Sequence, residues 1–195
     1  MSVFDNLMDL QRQINTQQTL LNQILRVDRP SVSPVSIISI KYAEFTGTQS
    51  ASVGAGGNVA ITDLSITHAM AKSTNKLLFS AFVGQAANSL KQGNVAIAIA
   101  DDGTLIKIAD AASARSRVTA GGIVVDGTTY SYVVTMPHIS INYEPGDISS
   151  HIYTLRAINL GGSTQTVYIN RSQGDINDVG ISRTISAIRL IELEG

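Results

Sequence analysis

Lys76-Leu77-Leu78-Phe79-Ser80-Ala81-Phe82-Val83 is apolar in both of its alternating registers, and so is Ile185-Ser186-Ala187-Ile188-Arg189-Leu190-Ile191-Glu192-Leu193. A strand in a solvated outer sheet needs hydrophobes on one face only. These two stretches therefore either run centrally beneath other elements or turn one face to a neighbouring subunit. Around them the chain keeps a period of two. Ile38, Ile40 and Tyr42 alternate with Ser39 and Lys41, Leu64 and Ile66 with Ser65 and Thr67, and Val95, Ile97 and Ile99 with alanines. Tyr130, Tyr132 and Val134 share a face, as do Ile139, Ile141 and Tyr143, then Val167 and Ile169. All read as half-buried strands. Turn residues fall between them at Gly54 to Asn58, Asp101-Asp102-Gly103, Asp126-Gly127, Glu144-Pro145-Gly146-Asp147 and Gly161-Gly162. About ten short strands joined by Gly/Asp turns, with at most a short helical turn near Ala109 to Ser116, predict an antiparallel jelly roll or β-sandwich.

Before Val35 the period is different. Val3, Leu7, Leu10, Ile14, Leu21 and Ile24 are spaced alternately by four and three, with Gln17 occupying the one polar place. This is a heptad seam with Leu7, Ile14 and Leu21 at a and Val3, Leu10, Gln17 and Ile24 at d. A buried amide in a seam lowers stability but sets register and strand number, and a mixed β-branched and leucine seam favours more than two strands. The expectation is a parallel trimeric coiled coil over residues 1–28. The alternative is a helix lying on another protein or on its own domain, since Phe4, Met8, Leu20 and Leu25 widen the apolar stripe. Pro30 and Pro34 then make a stiff neck over residues 29–34, leaving a β-domain over 35–195.

Composition narrows the function classes. The chain has 195 residues, a formal charge of -1 and 15% charged residues. That length holds a helix and one domain of about 160 residues with a single core. Such a charge balance offers no polybasic field for nucleic acid. Without cysteine there is neither a disulfide framework nor thiol chemistry, as fits assembly in a reducing cytoplasm. The first residues carry acid rather than base and lack a continuous apolar core, so no signal peptide is expected. No apolar run approaches the ~20 residues of a membrane helix, so no membrane insertion is expected either.

Pro145-Gly146-Asp147, Tyr153-Thr154-Leu155-Arg156-Ala157, Gly161-Gly162 through Tyr168-Ile169-Asn170-Arg171-Ser172, and the strand Ser186 to Glu194 form one pattern. With Asp63 to His68 and Ser73 to Leu78 upstream, it resembles the C-terminal trimeric jelly-roll domain of bacteriophage tail-fibre and virion surface proteins. The resemblance spans about Val35 to Gly195 and rests mostly on strand and turn patterns. It implies a homotrimer displayed on a virion, with no catalytic residues to carry over. It also implies a structural role for Asn170-Arg171, as a strand-end turn with a buried or intersubunit Arg contact.

Chemistry-bearing motifs are few. His68, His138 and His151 lie in different predicted strands without metal-ligand spacing, although a threefold axis could gather three copies of one histidine. Asp175 to Gly180 begins like a calcium loop, but Val179 and Ser186 stand where oxygen ligands belong. Gly54, Gly56 and Gly57 lack the third glycine of a dinucleotide fingerprint, because Val59 takes its place. Asn170-Arg171-Ser172 matches a glycosylation pattern, which stays unmodified without secretion. No serine sits in a nucleophile elbow, and spacing alone pairs no acids, although carboxylates distant in sequence can meet in a β-domain. No catalytic residue, cofactor or metal ligand is therefore assigned. Tyr42, Tyr143 and Tyr153 read as core or interface residues. Receptor contacts, if any, fall on the polar loops Thr46 to Asn58, Gln85 to Asn94 and Gln173 to Gly180, with Asn58, Asn88, Gln92 and Asn177 as candidates.

Together these readings predict a non-enzymatic homotrimeric structural protein on the virion surface, assembled in the host cytoplasm. It would meet other virion proteins, capsid or tail, through its N-terminal helix. Two roles stand open. One is a short tail-fibre-like trimer that binds a glycan or protein on the host surface. The other, on an equal footing, is a capsid decoration or cement trimer; the short stalk of about 33 Å fits either a decoration trimer or a short fibre that uses the helix as its plug. Outside this class stand a trimeric ligand like tumour necrosis factor or complement, and a polysaccharide-acting sandwich enzyme, which the sparse aromatics disfavour.

Overall fold

A computed structural model describes residues 11–18, 35–89, 94–110, 117–121, 134–175 and 182–195. The chain divides into two units, Met1–Val35 and Ser36–Gly195. In the first unit, residues 11–18 are helical (α1) and exposed. Thr16 Oγ1 donates to the Arg12 carbonyl at 2.9 Å, one turn back along the helix. Ile14 and Gln17 of the predicted seam lie in α1, with Ile14 46% exposed. Val3, Leu7, Leu10, Leu21, Ile24 and the proline neck lie outside the described residues.

The second unit is mainly β and antiparallel. Its strands are β1 (Ile37–Phe45), β2 (Gln49–Val53), β3 (Asn58–Ala69), β4 (Lys76–Val83), β5 (Ala86–Asn88) and β6 (Val95–Asp101). There follow β7 (Thr104–Ile106), β8 (Ala120–Gly121), β9 (His138–Tyr143), β10 (Ser150–Asn159), β11 (Gln165–Ile169) and β12 (Ser186–Leu193). One sheet has the order β1-β12-β4-β9, a second β3-β10-β6-β7 with β8 also on β6, and a third β2-β11-β5. Tyr130, Tyr132 and the Asp126-Gly127 turn lie outside the described residues.

All three sheets feed one hydrophobic core. Phe79 of β4 meets Tyr153 of β10 with ring centroids 5.0 Å apart, which packs the inner face of the first sheet on that of the second. Leu64, Leu77, Phe79, Ile97, Ile99, Leu155 and Ile188 are fully buried there, each contributing about 1.5–3 kcal/mol. β6 is buried on both faces. Val95, Ile97 and Ile99 enter this core, while Ala96 and Ala98 join Ile158 in a small second cluster covered by Leu105, Val118 and Leu160.

Buried polar groups tie the strand ends. Asn170 closes β11 with a left-handed backbone (φ 59), and its Nδ2 donates to the carbonyls of Phe45 and Gly47 at 2.9 Å each. Its Oδ1 accepts from the Ser186 hydroxyl at 2.6 Å. Asn170 is the fully buried member of the Asn-Arg pair. Arg171 lies over the Tyr168 ring at 5.0 Å and pairs with Asp175.

Two sequence expectations are corrected by the burial, and the register adds a juxtaposition that spacing does not show. The apolar face of β1 points outward: Ile38, Ile40 and Tyr42 are 43%, 59% and 57% exposed, while Ala43 and Phe45 pack on the core. Alternation defines two faces of a strand, but which one is buried depends on what packs against it. Asn88, expected on a contact loop, is fully buried in β5 opposite Val167. His68 and His151, far apart in sequence, are direct neighbours across the β3–β10 ladder.

Candidate functional site

One end of the second unit gathers three carboxylates around one imidazole. Asp101 ends β6, and Asp102-Gly103 forms the two-residue link to β7, with positive φ at both positions (45 and 88). That backbone is the hairpin geometry for which Asp-Gly is suited, and it presents Asp101 and Asp102 side by side. β10 runs antiparallel to β6 with Tyr153 opposite Asp101. His151, two residues earlier, therefore shares the inner face with both. Asp147 lies in the turn between β9 and β10, where its Oδ1 accepts from the Ser149 N–H at 2.7 Å. Tyr143, at the end of β9, reaches across from the other sheet.

His151 Nδ1 is 2.7 Å from Asp101 Oδ1 and 3.1 Å from Asp102 Oδ2, and its Nε2 is 3.1 Å from Asp147 Oδ1. The second oxygen of each β6-end carboxylate is held elsewhere. Tyr143 donates to Asp101 Oδ2 at 2.8 Å, and the Ile152 N–H donates to Asp102 Oδ1 at 2.9 Å. Asp101 is buried, His151 is mostly buried and Asp102 is half-exposed. The hydrogen bond to Asp147, and behind it the one to Asp101, raises His151 above the usual imidazole range against the opposing cost of burial. Asp147 is lowered in turn by His151 and by the Ser149 N–H. Burial, followed by the bond to Asp101, pushes the Tyr143 phenol up to about 12. The Tyr153 ring stacks on His151 with centroids 5.8 Å apart.

A second feature is the outer face of the β1-β12-β4-β9 sheet. In register, Ile40, Ile191 and Leu78 form one cross-strand row, Tyr42, Arg189 and Ser80 the next, and Glu44, Ala187, Phe82 and His138 the third. Beyond the third row lies an open cavity of about 530 Å³ lined by Phe82, Val83, Gly84, Met136, Arg183, Thr184 and Ile185. Met136 is 75% exposed at its rim. The two central strands are those whose sequence is apolar in both registers. One register of each fills the core, and the other forms this face.

Of the predicted contact residues, Asn58 is exposed at the start of β3, where its Oδ1 accepts from Arg156 Nε. Gln92, Asn177 and most of the calcium-like stretch after Asp175 lie outside the described residues. The four-residue spacing of Asp147 and His151, and the Asp101-Asp102-Gly103 turn, were visible in the sequence as separate local features. Their meeting depends on the β6–β10 register, which no local pattern encodes. Among the described residues no helix is long and apolar enough to cross a membrane. Comparison with models of known protein families and with curated proteins finds no match to this chain.

Proposed function

We propose that the chain is a non-enzymatic structural protein that works as a homotrimer on the surface of a phage virion. In this reading the sheets form a jelly-roll sandwich displayed outward, and the N-terminal helix aligns the subunits in a coiled coil and meets capsid or tail proteins. The observation that carries self-association is the apolar outer face of the β1-β12-β4-β9 sheet. An uncovered antiparallel face is ordinarily polar, yet this one exposes Ile38, Ile40, Tyr42 and Phe82, with Met136 and Ile185 beside it. Large apolar side chains exposed together on one sheet face, here with Glu44 and Arg189 among them, mark an association surface. The virion setting rests on the resemblance in strand and turn pattern.

A polysaccharide-acting enzyme fits the residues less well. Glycosidase carboxylates flank a cleft about 5–9.5 Å apart, whereas Asp101, Asp102 and Asp147 all converge on one imidazole. Among the described residues, no carboxylate lines the cavity beside Phe82 and Met136. Light scattering on the full chain during gel filtration tests the assembly. The expected mass is three chains, and Ile40→Lys, at an exposed position, is expected to lower it while the β-sheet circular dichroism persists. A monomeric full chain sinks the proposal. Copies per particle, counted by quantitative mass spectrometry of virions, then separate the two roles. A fixed large fraction of the capsid subunit number means decoration, and a handful of trimers means a short host-binding fibre.

A further inference from the structure

We propose that Asp101, Asp102 and His151 form a binding site for a divalent transition-metal ion of the Zn²⁺ or Mn²⁺ class. Tyr143 holds Asp101 Oδ2 and the Ile152 N–H holds Asp102 Oδ1, which leaves Asp101 Oδ1 and Asp102 Oδ2 facing His151 Nδ1. The three atoms left over, one from each residue, lie within 4.8 Å of one another and are joined only through His151 Nδ1, whose proton an ion would replace. Zinc and manganese bind oxygen and imidazole ligands at about 2.0–2.2 Å, which spaces adjacent ligand atoms by about 3 Å. The 3.1 Å from Nδ1 to Asp102 Oδ2 is close to that edge length, while the 2.7 Å to Asp101 Oδ1 is a hydrogen-bond contact that must open by a few tenths of an ångström when an ion replaces the proton. With Nδ1 on the ion, Nε2 carries the proton and donates to Asp147 Oδ1 at 3.1 Å. A carboxylate behind the histidine is the usual support of a metal-bound imidazole, fixing its tautomer and orientation.

Two further observations point to a cation. Three carboxylates meet here, and among the described residues no lysine or arginine pairs with any of them, so even a protonated His151 leaves the cluster negative. Tyr153, directly across the ladder from Asp101, is fully buried, and its hydroxyl has no hydrogen-bond partner among the described residues. A cation among the carboxylates, or a water bound to it, supplies the partner that the phenol lacks. The imidazole excludes calcium and magnesium as preferred ions, since both favour all-oxygen shells. Bound there, the ion clamps the β6–β7 hairpin to the start of β10 within one chain.

The test is calorimetric titration of the chelator-treated full chain with ZnCl₂ and MnCl₂, and with CaCl₂ and MgCl₂ for comparison. One Zn²⁺ or Mn²⁺ per chain is expected, with a raised melting temperature and Ca²⁺ and Mg²⁺ weaker by at least about tenfold. Asp102→Asn and His151→Gln are each expected to weaken binding by at least about tenfold, while Glu44→Gln, an exposed carboxylate on another strand, leaves it unchanged. Asp102 is 54% exposed, so its variant keeps the fold and carries the test if His151→Gln does not. Absence of saturable Zn²⁺ and Mn²⁺ binding overturns the proposal and leaves the imidazole itself as the bridge between the carboxylates. Binding that Asp102→Asn leaves intact also overturns it, by putting the ion on other residues.

Discussion

Glu192 is 1% exposed on the inner face of β12, and four donors surround its carboxylate. Asn75 Nδ2 and the Ala71 N–H donate to Oε1 at 2.6 and 2.8 Å, while Oε2 is 3.0 Å from His68 Nε2 and 3.4 Å from Ser39 Oγ. Burial alone raises the carboxyl pKa, but the bonds from Asn75, Ala71 and His68 together outweigh it and hold the group below the usual carboxylate range. A depressed folded-state pKa contributes stability that is fully present above the unfolded value of about 4.3 and is lost as pH falls through the folded value. Urea unfolding between pH 6 and pH 3 is therefore expected to show a loss of stability on the acid side. Glu192→Gln should flatten that part of the slope and lower stability at pH 6, because an amide cannot accept from all these donors. An unchanged acid slope in the variant would remove Glu192 from this role. In the sequence Glu192 is one polar residue in an apolar strand. Its partners Asn75 and His68 lie 117 and 124 positions away, beyond the reach of any spacing rule.

Strands β4 and β12 meet closely where each leaves the sheet at Gly84 and Ile185. The Gly84 N–H donates to the Ile185 carbonyl at 3.1 Å, and a Cβ at position 84 would fall on that oxygen and on the Thr184 side chain. Gly84→Ala is expected to push this corner apart and destabilise the domain by about 1–3 kcal/mol, read as a lower urea midpoint; an unchanged midpoint would mean that the corner yields freely. The two elements were legible as strands from their run of hydrophobes, and so was their central place as one of two alternatives. The turn at Asp102-Gly103 was legible as well, because positive φ at both positions is a local requirement with a local residue signature. The outward direction of Ile38, Ile40 and Tyr42 was not. A strand's alternation is the same whichever face the core takes, and here the core lies against Ala43 and Phe45.

For the whole chain, the division into Met1–Val35 and Ser36–Gly195 predicts that the second unit folds without the first. Removing residues 1–28 is expected to leave the β-sheet circular dichroism and a cooperative melt, and, if the proposed coiled coil aligns the subunits, to make the mass in solution fall or become heterogeneous. A truncated chain that unfolds completely would make the helix part of the domain core. Composition, the change of period at Val35 and the Gly/Asp turns were enough to read an antiparallel β-domain behind a helix, because propensity, alternation and turn geometry act over a few residues. Pairing order, the face that each strand buries, the enclosure of Asn88 and the meeting of Asp101, Asp102, Asp147 and His151 came from packing. Each depends on contacts between strands far apart in the chain. Antiparallel register, rather than any local preference, chooses which of those residues become neighbours.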